Sequence, residues 1–142
     1  MIYLLIALLI PPLIEDIRER QIRNLYPFLI VVAKVIVLVL SRNKDAAIKS
    51  VVASLIAFAI FGFCFLVSKE GIGAGDVKLL ISIAFYLETE LFLRGLLYIC
   101  LCSILFSLIL LATKKAKLKS QFPFVPFVFA GILVATLTEA LF

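Results

Sequence analysis

The stretch Gly71-Ile72-Gly73-Ala74-Gly75-Asp76-Val77-Lys78 lies between two long apolar runs, and its reading decides how the chain is arranged. Three glycines in five residues give a backbone that another segment can approach closely. Asp76 and Lys78 then stand where an apolar segment begins. Charges at membrane depth are expensive and mark function by default. The same residues also read as a plain helix start, with Asp76 accepting a hydrogen bond from the first turn.

The flanks settle the environment. Of 142 residues, 65% are hydrophobic and 16% charged. Soluble domains are about 45–50% apolar. Mean hydropathy is +1.25. The chain reads as an all-α integral membrane protein, a single polytopic domain over residues 1–142 with no soluble domain appended. There is no histidine, which excludes a His-based triad or a His metal site within one chain. Cys64, Cys100 and Cys102 lie inside apolar runs without a CxxC pair, and read as buried small apolar residues. No cofactor and no metal is expected. Met1–Ile14 has no basic region before it and reads as a retained first span, not a cleaved signal.

Six apolar segments follow in order: Met1–Ile14, Leu25–Leu40, Ser50–Val67, Val77–Leu87, Leu91–Ala112 and Phe122–Leu141. In lipid every backbone polar group must be paired internally, so each is expected to be a helix. No period-2 alternation suggests a barrel. Pro11-Pro12 should kink the first helix.

Lys and Arg give the orientation. Loops after spans one, three and five carry nine cations: Arg18, Arg20, Arg23, Lys69, Lys78, Lys114, Lys115, Lys117 and Lys119. Loops after spans two and four carry four: Arg42, Lys44, Lys49 and Arg94. The first set is expected on the cytoplasmic side, with both termini outside. Asp16 and Asp76 then share one face. Fifteen steps from Met1 to Asp16 cover about 22 Å of helix, and twelve from Asp76 to Glu88 about 18 Å, against a hydrocarbon core of about 30 Å. Both aspartates are therefore expected to stop short of the inner interface.

The first loop reads Asp16-Ile17-Arg18-Glu19-Arg20-Gln21-Ile22-Arg23-Asn24. The positive-inside rule explains its arginines but not an aspartate at the edge of an apolar span. Two carboxylates at one site share a proton, because like charges a few ångströms apart cannot both ionise. The ionised member takes a proton from water, which attacks a peptide carbonyl, and the protonated member donates to the carbonyl oxygen. This chemistry requires no histidine and no nucleophilic serine. The glycines before Asp76 would let an extended substrate strand lie against the backbone.

Asp16-x-Arg18-x-x-x-Ile22-x-Asn24, Gly73-x-Gly75-Asp76-x-Lys78 and Pro123-Phe124-Val125-Pro126-Phe127 resemble three signatures of the type IV prepilin peptidases, in the family's order across nearly the whole chain. These are GxGD-type intramembrane aspartic proteases, related in motif to presenilin and the archaeal preflagellin peptidases. The resemblance implies that Asp16 and Asp76 are the catalytic pair. It leaves Gly73, Gly75, Asn24, Lys78, Pro123 and Pro126 to bind substrate or shape the site. It implies prepilin-like precursors as partners (prepilins, Flp-type pilins, pseudopilins, archaellins or adhesins), cut after a short basic leader at the cytoplasmic face of a prokaryotic plasma membrane. Arg23 stands where the family usually has proline. The Cys-rich N-terminal domain of the larger, methylating enzymes has no counterpart here, so peptidase activity without methyl transfer is expected.

Three further readings stay open. Asp76 at a helix N-terminus and Asp16 near a helix C-terminus would make Asp76 the base and Asp16 the acid. Lys34, mid-span, is either an intramembrane counter-charge or a lysine snorkelling outward, with the second preferred. Glu15, Glu19 and Glu70 either attract a basic leader or balance the local arginines. Nothing points to nucleic acid; the Lys114–Lys119 run suits anionic lipid. The rival to the peptidase is a small ion- or proton-coupled transporter or channel subunit, for which embedded Asp16, Asp76 and Lys34 would form the path.

Overall fold

The computed structural model describes residues 2–68, 73–113 and 123–141, which form six helices and, among the described residues, no strand. They are α1 Ile2–Glu19, α2 Leu25–Ser41, α3 Lys44–Val67, α4 Ala74–Leu87, α5 Thr89–Ala112 and α6 Val125–Leu141. The basic run 114–119, together with Lys69, Glu70, Gly71 and Phe122, lies outside the described residues.

The helix ends show why the sequence boundaries shift. α1 continues through Asp16 to Glu19 and stops where Arg20 takes φ 53°. The Arg20 N–H closes the last turn on the Asp16 carbonyl at 3.0 Å. Asp16 is thus on a helix, not in a loop. α1 also runs through Pro11 and Pro12 without a break. α3 begins at Lys44, six residues before the apolar run, because the Asn43 side chain accepts from the Asp45 and Ala46 N–H groups at 3.1 Å each.

α4 is the hub. It packs against α2, α3 and α5, while α6 packs on α5 and α1. Eight of its fourteen residues are buried, against three of twenty-four in α3 and in α5. α3 and α5 are long and apolar enough to cross a membrane, and they carry large apolar side chains such as Phe58, Phe63, Leu97 and Leu105 on their outer faces. Such a surface suits lipid, not water. The cysteines follow the same logic and correct the expectation of burial: Cys100 is exposed, and Cys64 and Cys102 are only partly covered. In a chain whose outside is as apolar as its inside, an apolar neighbourhood does not mark burial.

α5 and α6 meet at small residues. A Cβ on Gly131 would come within 2.6 Å of the Ile99 backbone nitrogen, so only glycine permits this approach.

Candidate active site

Asp16 projects from the last turns of α1 and is 4% exposed. Its Oδ2 accepts a hydrogen bond of 2.7 Å from the backbone N–H of Val125, the first residue of α6. Helix N-termini leave backbone donors without partners. Pro126 has no N–H to offer, and proline is tolerated in a first turn for that reason. Asp16 therefore caps a helix 109 residues away. Pro123 and Phe124 lead into that turn, and the Phe124 carbonyl accepts from Phe127 and Val128 at 3.1 and 3.3 Å.

Asp76 is the third residue of α4, after Gly73 as N-cap. Its carboxylate folds back onto the Gly73 N–H, the acidic half of a capping box. A Cβ on Gly73 would lie 3.1 Å from Asp76 Oδ2, so Gly73 makes room for the carboxylate. Gly75 faces the segment after α1: a Cβ there would stand 3.2 Å from Ile22 Cβ and 3.3 Å from the Ile22 carbonyl. The close approach expected of these glycines is thus made within the chain. At Gly75 the space that an extended strand would use is filled by Ile22.

These contacts bring Asp16 and Asp76 to the same end of the bundle, with the Asp16 charge in electrostatic reach of Asp76. Asp16 is buried and Asp76 half-buried. Both carboxylates stand at helix N-termini, Asp76 at its own and Asp16 at that of α6. The helix-end argument that made Asp76 the base and Asp16 the acid therefore fails to separate them. It placed Asp16 by its own helix alone.

Lys78 and Asn24 are joined directly, Nζ donating to Oδ1 at 3.1 Å. Lys78 lies about 160° around α4 from Asp76, at about 100° per residue. It thus ties the first loop to α4 on the side away from the carboxylates. An apolar groove of about 520 Å³ between α3 and α4 shares that side, with Ala74, Val77, Lys78 and Ile81 in its wall. Arg23 pairs with Glu15 at 3.1 Å, so Glu15 balances a local arginine.

Lys34 corrects the preferred reading of an outward snorkel. It is 2% exposed and its Nζ lies 3.5 Å from Glu88 Oε1. It sits on the face of α2 that packs on α4, far from the aspartates along the helix. Sequence reasoning gave no site role to Glu88, nor to Ile22 and Val125, which it quoted only within motifs. Val125 acts through its backbone, which no side chain advertises; the Pro123–Phe127 segment around it was the available signal.

A sequence model described as the type IV leader peptidase family matches residues 2–138. No curated protein and no solved structure matches the chain.

Proposed function

We propose that this chain, which belongs to the type IV leader peptidase family, is an aspartic endopeptidase that removes the short basic leader from prepilin-like or archaellin-like precursors. Asp16 and Asp76 are the reacting pair. One observation carries the reading. Two carboxylates sixty positions apart stand at one end of the bundle, one buried on a backbone N–H and one folded onto its own helix cap.

Such a pair holds one proton between them. The ionised carboxylate accepts a proton from water, whose oxygen attacks the scissile carbonyl carbon. The protonated carboxylate donates to the carbonyl oxygen as charge develops there. The first carboxylate then gives the proton taken from water to the amine nitrogen as the C–N bond breaks, and the second takes its proton back from the gem-diol as the new carboxyl group forms. The charge pattern of the loops supports a cytoplasmic site in a prokaryotic plasma membrane. Gly73, Gly75, Asn24, Lys78, Pro123 and Pro126 hold the two helix starts and the first loop in place. The reaction proceeds without methyl transfer; transfer of a labelled methyl group from S-adenosylmethionine to the cleaved product would contradict this part.

The test is a cleavage assay in liposomes with a panel of prepilin-like precursors, comparing the wild type with Asp16→Asn and Asp76→Asn. Asparagine keeps the size but cannot hold or take the proton. Cleavage at the leader boundary should fall by about 10²–10⁴ in each variant. Cleavage that survives either change removes the dyad.

A further inference from the structure

The opposite end of the bundle holds a polar cavity of about 420 Å³. Every helix contributes to it: Ile2 of α1, Lys34 of α2, Lys49 of α3, Tyr86 of α4, Glu90 of α5 and Glu139 of α6, with Glu88 at the junction of α4 and α5. Along α4 the cavity begins at Tyr86, ten steps from Asp76, or about 15 Å at about 1.5 Å each. It therefore plays no part in the aspartate chemistry.

Its charges are not matched among themselves. The Lys34 ammonium is almost wholly buried, yet its one hydrogen bond among the described residues, to Glu88, is 3.5 Å long. An ammonium has three protons to donate. The Tyr86 ring lies 5.5 Å away and covers one side. Among the described residues, Lys49, Glu90 and Glu139 make no hydrogen bond or ion pair. Glu88 itself is held at φ 68° and ψ 173°, a conformation that side chains rarely adopt. The lining thus carries two lysines and three glutamates, of which Lys49, Glu90 and Glu139 are exposed, and such a mixture suits a ligand bearing both signs. The carboxylates do not converge as a metal site requires.

A groove of about 420 Å³ between α1 and α6 begins where the cavity ends. The two share Ile2 and Glu139, and the groove continues along Tyr3, Ile6, Leu133 and Leu137. A charged chamber opening into an apolar channel matches the shape and polarity of a lipid.

We propose that this end of the bundle binds a phospholipid with a phosphoethanolamine headgroup. Its phosphate meets Lys34 and Lys49, its ammonium meets Glu90 and Glu139, and one acyl chain lies in the α1–α6 groove. A primary ammonium donates to carboxylates. A quaternary choline cannot, and an uncharged glycerol headgroup leaves both acids without a counter-charge.

The test uses the full chain in mixed micelles containing equal parts of dioleoyl phosphatidylethanolamine, phosphatidylcholine and phosphatidylglycerol. The protein is recovered after detergent washing and its retained lipid is counted by mass spectrometry. Phosphatidylethanolamine should be enriched about tenfold over each competitor, as expected for charge-assisted hydrogen bonds. Lys49→Gln and Glu139→Gln, both at exposed rim positions, should bring retention to the bulk ratio while precursor cleavage stays at the wild-type rate. Equal retention of the three lipids overturns the proposal, as does enrichment that neither variant reduces. Release of the lipid by millimolar free phosphoethanolamine would assign the cavity to a soluble ligand and overturn the lipid.

Discussion

The two ends of α4 are both tied to α2 or the loop before it by a lysine bond spanning 54 residues, and the two bonds differ in kind. At the aspartate end, exposed Lys78 donates to the neutral side chain of Asn24. At the other end, buried Lys34 faces the carboxylate of Glu88. Breaking an exposed hydrogen bond of the first kind costs about 1 kcal/mol. Removing one partner of a fully buried ion pair costs about 3–5 kcal/mol. α4 is thus anchored firmly where the aspartates are not, and held lightly where they are. On the proposed function, a site that must admit a peptide gains from this division, since the two carboxylates can adjust without loosening the helix that carries one of them.

The sharpest check separates rate from stability. Asp16→Asn and Asp76→Asn should abolish cleavage as above while shifting the unfolding midpoint little, because asparagine still accepts from Val125 or Gly73. A large loss of stability in Asp16→Asn would mean that the cap on α6, not chemistry, is the role of that residue.

Next in size is the anchor. Lys34→Met should lower stability by about 2–3 kcal/mol in denaturant titration, less than for a sealed pair because Glu88 keeps about a third of its side chain in solvent. Cleavage per folded molecule should stay within about threefold of wild type. Adding Glu88→Gln should recover most of the loss, since the stranded charge is then gone. A rate that collapses in Lys34→Met while the midpoint holds would overturn the contrast between the two ends.

Gly75→Ala tests the close approach to the first loop. The new methyl meets Ile22 at 3.2 Å, so loop or helix must give by a few tenths of an ångström. Cleavage should fall about fivefold, a cost of about 1 kcal/mol within the range for overpacking. Ile22→Ala in the same chain should restore it. Failure of that rescue would place the role of Gly75 elsewhere, for instance against substrate. The smallest effect belongs to Lys78→Met, which should cost under about 1 kcal/mol and reduce cleavage less than fivefold.

How much of this was legible beforehand depends on what each feature rests on. Asp16, Asp76 and the glycines carry their chemistry in their side chains or in the lack of one, and short motifs expose them. The partner of Asp16 is a backbone N–H, so the sequence shows only the Pro123–Phe127 segment that holds it and not the contact. Lys34 could not be assigned to an inside or an outside, because α2 is apolar on every face and its periodicity distinguishes none. The cysteines were misplaced for the same reason.

By itself the sequence determined the solvent and the elements: at 65% apolar residues without alternation, the chain can satisfy its backbone in lipid only as helices. It also determined which side chains could do acid–base work in a chain without histidine. Only the tertiary structure decided that α1 carries Asp16 to the first turn of α6, that Ile22 fills the space at Gly75, and that Lys34 turns inward to Glu88. Composition and spacing report what each residue prefers to touch. With lipid outside and packed helices inside, those preferences are nearly the same in every direction, and only packing selects among them.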